Sequence, residues 1–329
     1  MKKMLSLLLV SLLFFSCNKT TITDIDFRQE MRKFIIEISD YAKEKDKYFI
    51  VIPQNGQELI TDTGEPDGVL QIDYINSFDA TGKESMFYGY NDDDEATPNE
   101  ESEFFIALCE LCEQNGVEVL TTDYCFTQSK MDDSYQQNEL LDFISFAAPE
   151  RNLNVIPDYP TSPYNSNLAD ITKISEAKNF LYLINPENYA TKDVFISDIE
   201  ATDYDVVLID LFFNGDLTFT PIDIARMKVK NNGSQRLVIC YMSIGEAEDY
   251  RYYWQNEWKV GEPVWLEKEN PNWKGNYNVR YWEEGWKNLI LGDNTAYLDK
   301  IINVGFDGVY LDIVDGFEYF EEKYPREEE

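Results

Sequence analysis

The stretch Leu-Val-Ile-Cys-Tyr-Met-Ser-Ile-Gly-Glu-Ala-Glu, residues 237–248, decides the fold expected for this chain. An uninterrupted apolar run is followed at once by a serine, a glycine and two acids. This order is typical of a buried parallel strand that ends at a sheet edge and delivers carboxylates there. The other apolar runs are therefore candidates for neighbouring parallel strands.

Short apolar runs alternate with helical or irregular stretches, which predicts βα units and a parallel sheet. The eight predicted strands cover residues 48–52, 85–90, 117–122, 180–184, 205–209, 237–242, 278–281 and 308–311. Eight units over roughly 270 residues indicate an α/β fold, a (β/α)8 TIM-type barrel in a single domain. Long loops are expected after strands 3 and 6. Residues 143–148 form either a further strand or part of a lid.

Mostly polar residues follow the predicted strands. Because the carboxyl ends of barrel strands meet on one face, we expect these side chains to form one site. Three carboxylates there are the catalytic candidates: Asp210, Glu246 and Asp312. The substrate-binding candidates around them are Asn55, Asp123, Tyr241, Ser243, Glu248, Trp282 and Asp315.

Crowded carboxylates favour acid–base chemistry. Their mutual repulsion raises at least one pKa, so that one group acts as an acid while another stays ionised. Glycosidic bond cleavage uses such a pair, and we expect Asp312 and Glu246 to be the acid and the nucleophile or base, with Asp210 as the alternative partner. The alternative for any one of these acids is a helix N-cap.

The chain of 329 residues contains no histidine, which excludes Ser-His and Cys-His nucleophile pairs and the usual zinc ligands. Cys109 and Cys112 lie one helical turn apart in an apolar setting, so buried thiols are favoured over a metal or redox pair. The acidic run at 92–95 does not have EF-hand spacing and is interpreted as a solvated loop. We expect no metal and no cofactor.

The formal net charge of −34 opposes binding to nucleic acid and attracts cationic ligands, although solubility alone explains such a charge. Aromatic residues are dense between Tyr250 and Trp286. Flat rings match the apolar faces of sugars, and ordinary packing of helices is the alternative. A polysaccharide is therefore the expected partner, bound by a monomer.

Residues 1–17 have the pattern of a bacterial lipoprotein signal: a basic start, an apolar run too short to span a bilayer, and a small residue before Cys17. Cys17 is the expected lipidation site, and an ordinary signal peptide is the alternative. We therefore expect the protein to be exported to the cell envelope and to contact the membrane only through the lipid on Cys17. Residues 18–46 are expected to form a tether and a helix that Asp26 caps, and residues 47–329 the barrel.

Two motifs in particular resemble glycoside hydrolase family 114, the endo-alpha-1,4-polygalactosaminidase family. They are Cys-Tyr-Met-Ser-Ile-Gly-Glu-Ala-Glu-Asp-Tyr-Arg at 240–251 and Gly-Phe-Asp-Gly-Val-Tyr-Leu-Asp-Ile-Val-Asp at 305–315. Less specific likeness extends from residue 47 to residue 320. The resemblance implies a (β/α)8 barrel that hydrolyses alpha-1,4 links in galactosamine-rich polysaccharide with acids that follow the sixth and eighth strands.

This sequence departs from the family pattern at Tyr310, where hydrolases of the family tend to carry Glu. The acid is then expected at Asp312, or it is missing. If it is missing, the protein is a surface glycan-binding protein on a barrel scaffold, and its acids are engaged as caps or ion pairs. A structural envelope protein would have its mouth plugged by the long loop after the third strand.

Overall fold

The computed structural model describes residues 22–215 and 217–325. In chain order its α-helices are α1 (Phe27–Lys45), α2 (Ile72–Ile75), α3 (Asn99–Gln114), α4 (Gln128–Leu140), α5 (Lys192–Glu200), α6 (Pro221–Met227), α7 (Glu284–Ile290), α8 (Tyr297–Val304) and α9 (Phe317–Lys323). Its strands are β1 (Ile50–Pro53), β2 (Ala80–Glu84), β3 (Glu118–Tyr124), β4 (Ile144–Ala148), β5 (Phe180–Tyr182), β6 (Val206–Ile209), β7 (Phe212–Asn214), β8 (Leu217–Thr218), β9 (Leu237–Ser243), β10 (Glu246–Glu248), β11 (Leu266–Glu269), β12 (Asn276–Val279) and β13 (Gly308–Asp312).

Helix α1 begins where the sequence predicts. The carboxylate of Asp26 accepts a hydrogen bond from the backbone N–H of Gln29 at 3.0 Å, so it caps the helix. The apolar face of α1 is buried, and Arg28 forms an ion pair with Glu321 of α9 at 3.0 Å. The helix is therefore part of the folded body.

The parallel strands form two hydrogen-bonded sheets. One has five strands in the order β1-β13-β9-β6-β5, and the other has three in the order β2-β3-β4. The edges of the two sheets meet at Gly82, whose carbonyl accepts a hydrogen bond from the backbone N–H of Asn55 at 2.8 Å. The predicted α/β class with parallel sheets is thus confirmed, and the arrangement is compatible with the expected barrel.

Two predicted strands are wrong. No strand forms at 85–90. The strand in this part of the chain is β2, which ends at Glu84, and Ser85 turns the chain with a φ of 57°. Small and polar residues make up β2, whereas the apolar run after it is a loop whose Met86 and Phe87 are buried. The strand predicted at 278–281 falls on β12, which pairs antiparallel with β10 and β11 outside both parallel sheets.

Both predicted long loops contain regular structure. The connection after the third strand holds α4 and β4, so residues 143–148 do form a parallel strand, and the long irregular segment, residues 149–179, follows β4 instead. The connection after β9 folds into the sheet β10-β12-β11. Sequence patterns missed this sheet because its strands are short and mostly polar.

Tyr310 lies in the core between the two parallel sheets. Its side chain is fully buried on β13, and its ring meets that of Tyr182 edge-on with centroids 5.2 Å apart. The hydroxyl of Tyr182 donates to Oε1 of Gln54 at 2.9 Å. A Cβ atom at Gly82 would lie 1.9 Å from the hydroxyl oxygen of Tyr310, so β2 must have no side chain there.

Other expectations concern the cysteines and the membrane. Cys109 and Cys112 are free and buried, as the buried-thiol interpretation predicts, and so are Cys125 and Cys240. Cys17 and the predicted signal lie outside the described residues. Within the described residues, we find no helix with the length and apolar character needed to cross a membrane.

We predict that Gly82→Ala lowers the free energy of unfolding by about 1–3 kcal/mol, because the new methyl group overlaps the Tyr310 hydroxyl. Urea unfolding followed by tryptophan fluorescence measures the change. The double variant Gly82→Ala/Tyr310→Phe should recover part of the loss, since the closest atom is gone. An unchanged unfolding midpoint for the single variant would contradict this packing.

Candidate functional site

An open cleft of about 380 Å³ lies at the carboxyl ends of the parallel strands. Seven predicted site residues line it: Asn55, Asp210, Tyr241, Glu246, Glu248, Asp312 and Asp315. They come from segments far apart in the chain, because parallel strands bring their carboxyl ends to the same side. The segment after β4 contributes Arg151 and Leu153 to the wall and does not fill the cleft.

Asp312 is the last residue of β13, and its side chain is half-buried in the cleft wall. The hydroxyl of Tyr241 donates to its Oδ2 atom at 2.6 Å. Burial, followed by repulsion from Glu84, raises the pKa of Asp312 to about 8. Asp312 is therefore mainly protonated at neutral pH and can donate a proton.

Asp315 lies one turn further on, in the short 3-10 helix Val314–Gly316. Burial and repulsion from Glu318 and Glu84 raise the pKa of Asp315 to about 7. Neither Asp312 nor Asp315 forms an ion pair with any lysine or arginine of the described residues. Both acids therefore remain available to a ligand.

Glu84 is a cleft acid that the sequence analysis missed. It is the last residue of β2, where its Oε2 accepts a hydrogen bond from the side-chain amide of Asn55 at 3.0 Å and its Oε1 accepts one from the hydroxyl of Tyr124. The strand predicted at 85–90 began one residue too late to include it. The sequence feature that could have identified Glu84 is its position at the end of the short run of residues 80–84.

Arg251 joins two of the predicted acids. Its guanidinium donates to both carboxylate oxygens of Asp210, at 2.8 and 2.6 Å, and to both of Glu248, at 2.6 and 3.0 Å. Burial works against its charge, but Asp210 and Glu248 outweigh burial and hold the pKa of Arg251 above its ordinary value. Burial also raises the pKa of Asp210, and Arg251 opposes that rise. Arg251 is the last residue of the motif at 240–251, but the sequence alone assigned it no role.

Glu246 differs from Asp210 in how its carboxylate is held. Its Oε1 accepts a hydrogen bond from the side-chain amide of Asn270 at 2.8 Å, while its Oε2 is buried with no hydrogen-bond partner in the described part of the chain. Burial raises the pKa of Glu246, and the hydrogen bond from Asn270 opposes the rise. One oxygen is anchored, and the other is buried without a hydrogen-bond donor in the described part of the chain.

Three predicted site residues do not line the cleft. Asp123 is buried and accepts hydrogen bonds from the backbone of Phe87 and from Ser134, so it holds the loop after β2. The hydroxyl of Ser243 donates to the backbone carbonyl of Glu246 at 3.1 Å. Trp282 packs on the ring of Phe320 at 4.6 Å. Their contacts in the structure support the fold around the cleft.

The aromatic stretch mostly packs internally. Trp254, Trp258, Trp265 and Trp286 form a chain of ring contacts with centroid distances between 4.9 and 5.4 Å, completed by Tyr277. Trp273 and Tyr250 differ, because they line the cleft and are 50% and 51% exposed.

We find no group of metal-ligating side chains within residues 22–215 and 217–325. The acidic run at 92–95 is partly structural, since Asp94 forms an ion pair with Lys130 at 3.0 Å and accepts a hydrogen bond from the backbone N–H of Thr127. Burial opposes the shift, but the hydrogen bonds from Thr127 dominate and lower the pKa of Asp94 to about 2.

Residues 160–327 match the sequence profile of glycoside-hydrolase family GH114. An uncharacterised protein of Methanocaldococcus jannaschii is 42% identical over 156 residues, which are 47% of this chain and 42% of that protein. An uncharacterised protein of Deinococcus radiodurans is 40% identical over 123 residues, 37% of each chain. One of Thermotoga maritima is 37% identical over 125 residues, 37% of this chain and 36% of the relative. The matched region spans less than half the length of each of these relatives.

We predict that Arg251→Met lowers the free energy of unfolding by about 3–5 kcal/mol, because it leaves two buried carboxylates without a counter-charge. Urea unfolding at pH 7 measures the loss. Arg151→Met is the matched control in the same cleft: the ion pair of Arg151 with Asp93 is well exposed, so about 0–1 kcal/mol is expected. Equal losses in the two variants would contradict a dominant role for the buried ion pairs.

Proposed function

The chain belongs to glycoside hydrolase family 114, and we propose that it cleaves galactosamine-containing or related amino-sugar polysaccharide with a pair of carboxyl groups in the cleft. The observation that carries this proposal is the position of Asp312 in an open cleft that other acids line, where burial raises its pKa to about 8. A glycosidase needs this combination of a proton donor and an ionised partner.

In the proposed reaction Asp312 protonates the leaving glycosidic oxygen. The hydroxyl of Tyr241 donates to Oδ2 of Asp312, and in this proposal Oδ1 carries and donates the proton. An ionised carboxylate then serves as the nucleophile or as the base that activates water. Asp312 is deprotonated by the first step and takes up a proton again before the next cycle.

Two residues can supply the ionised partner. Glu246 has a buried carboxylate oxygen that accepts no hydrogen bond within the described residues, so that oxygen keeps its capacity to accept one from water or a sugar hydroxyl that reaches it. Asp210 has both oxygens on Arg251, which holds it in place and favours its ionised form. Glu246 is the first candidate because its oxygen is unoccupied, and Asp210 is the second.

The acidic lining supports an amino-sugar substrate. The chain as a whole carries a formal charge of −34, and acids outnumber bases in the cleft lining, which contains Glu84, Asp210, Glu246, Glu248, Asp312 and Asp315 beside Arg151, Arg251 and Lys274. A deacetylated galactosamine polymer is a polycation, so it is attracted to this surface over several ångströms.

We propose that the scaffold is a closed (β/α)8 barrel. The support is that eight parallel strands occur in the described residues, in the order β1, β2, β3, β4, β5, β6, β9 and β13, and that the last pairs with the first. The contact between Asn55 and Gly82 joins β1 to β2. In such a barrel the cleft is the mouth at the carboxyl ends.

The proposal includes export and lipid anchoring through Cys17, which rest on the sequence pattern of residues 1–17. A surface or periplasmic location would place the enzyme where polysaccharides of the envelope are found. We propose that it acts there as a monomer that touches the membrane through its lipid only.

A second candidate function is glycan binding without hydrolysis. The observation that favours it is the ion pairing of Asp210 and Glu248 with Arg251, which removes two cleft acids from free acid–base use. The burial of Tyr310 weakens the original argument for it, because that side chain lies in the core and does not line the cleft. Hydrolysis by the purified protein decides between the two functions.

We predict that the purified chain releases new reducing ends from partly deacetylated galactosamine polymer and that Asp312→Asn lowers the rate by about 100-fold or more, since the proton donor is lost. Glu246→Gln and Asp210→Asn identify the partner by which of them causes a comparable loss. Asp198→Asn, an exposed acid on α5, is the control and should retain the parent rate.

No release by the parent protein across galactosamine, glucosamine and N-acetylated polymers would rule out hydrolysis and leave glycan binding. Equal release by the parent and by Asp312→Asn would instead remove Asp312 from the mechanism. The two outcomes are distinct because the first concerns the reaction and the second only its residues.

The pH dependence of kcat/KM gives a further prediction. The acid must be protonated, so activity should fall as the pH rises through the pKa of Asp312, about 8. Tyr241→Phe removes a hydrogen bond that lowers this pKa, so the alkaline limb should move upward. Asp315→Asn removes a like charge that raises it, so the limb should move downward. Shifts in the same direction, or none, would contradict Asp312 as the titrating acid.

A further inference from the structure

Trp273 stands out among the aromatic residues of the long connection after β9. Its neighbours in sequence pack their rings on one another, whereas Trp273 is 50% exposed and has no ring contact within the described residues. A single exposed aromatic residue is ordinary on a protein surface. Trp273 lines the cleft, as Tyr250 does, but the hydroxyl of Tyr250 is hydrogen-bonded to Glu248.

The turn that carries Trp273 is held in a defined shape. It joins β11 to β12, and its two ends are closed by hydrogen bonds from the backbone N–H of Asn276 to the carbonyl of Trp273, at 3.1 Å, and from that of Asn270 to the carbonyl of Asn276, at 2.7 Å. Gly275 takes a φ of 90°, which favours glycine. Its carbonyl accepts a hydrogen bond from the backbone N–H of Asp249 at 2.8 Å.

The same turn holds the cleft carboxylates. Asn270, at its start, donates its side-chain amide to Glu246 at 2.8 Å. Asn276, at its end, pairs with Glu248 in the register of β12 with β10. The backbone of Trp273 is thus connected to both acids through a short, hydrogen-bonded path. The turn therefore presents this side chain on the same cleft wall as Glu246 and Glu248.

We infer that Trp273 is the stacking platform of a sugar-binding subsite next to these acids and that it binds a pyranose unit of the polysaccharide chain. Pyranose rings present a face of C–H groups that covers an indole well, and burying both apolar surfaces stabilises the complex. Tyr250 borders the same cleft, where its hydroxyl donates to Glu248 at 2.6 Å. The cleft therefore combines the exposed rings of Trp273 and Tyr250 with polar groups that can bind sugar hydroxyls or an amino group.

The subsite deepens the proposed function and rests on it for the identity of the polymer. Stacking depends on the sugar ring and not on its charge. Trp273 should therefore bind N-acetylated, uncharged units as well as deacetylated, cationic ones. Attraction to the acids alone would favour only the cationic polymer and would weaken with salt.

The test measures binding separately from hydrolysis. The full chain carrying Asp312→Asn is run on native gels that contain partly deacetylated or fully N-acetylated galactosamine polymer, at about 0.15 M salt, where long-range charge effects are screened. Adding Trp273→Ala should weaken retention by both polymers roughly three- to tenfold, and Trp273→Phe should restore most of it. Phe126→Ala is the matched control, since Phe126 is 59% exposed and does not line the cleft.

Unchanged retention of the Trp273→Ala variant, or equal weakening by Phe126→Ala, would overturn the subsite. So would absence of retention of the parent by every polymer. Hydrolysis by the parent with a KM that Trp273→Ala leaves unaltered would refute the subsite alone. Retention that depends on Trp273 without any hydrolysis would refute the proposed reaction alone, so the two failures are distinguishable.

Discussion

The ion pairs of Arg251 are the interaction on which the cleft depends. Its buried guanidinium contacts Asp210, directly after β6, and Glu248 on β10, so it attaches the small antiparallel sheet to the end of the larger parallel one. That attachment also fixes Glu246, two residues before Glu248, and the turn that presents Trp273. A buried charge surrounded by two opposite charges tolerates few other positions, because any separation leaves an unpaired charge in an apolar setting. The cleft therefore has one defined arrangement.

Charge is unevenly distributed over the two sides of this cleft. Arg251 compensates Asp210 and Glu248 on one side. On the other side Asp312 and Asp315 lie near Glu84 and form no ion pair in the described part of the chain, and the pKa of Asp312 and of Asp315 is raised to about 8 and about 7. One side thus holds carboxylates in buried ion pairs, and the other holds a carboxyl group that keeps its proton near neutral pH. This division of acids follows from where a single arginine is placed, and it is what glycosidic bond cleavage requires.

Local patterns predicted the strands that are apolar along their whole length, and they failed where burial comes from neighbouring elements. The run at 237–242 and the run at 308–311 are strands as expected, since both faces of a parallel strand are covered. Strand β2 is made of Ala, Thr, Gly, Lys and Glu, and it is buried because its glycine accommodates Tyr310 from another strand. That long-range fit leaves no trace in a local hydrophobic pattern, so the strand was misplaced and Glu84 was missed.

The sequence by itself determined the parallel α/β class, the helix that Asp26 caps, and the convergence of acids at the strand ends, because each of these follows from local order: an apolar run and then a polar residue, or a cap and then a helix. The tertiary structure decided what each acid does there. Asp210 and Glu248 share the single charge of Arg251, the pKa of Asp312 is raised to about 8 by burial and by Glu84, and Asp123 holds a loop and does not line the cleft. The reason is physical: the pKa and the freedom of a carboxylate depend on burial and on charges within a few ångströms, and those neighbours come from distant parts of the chain.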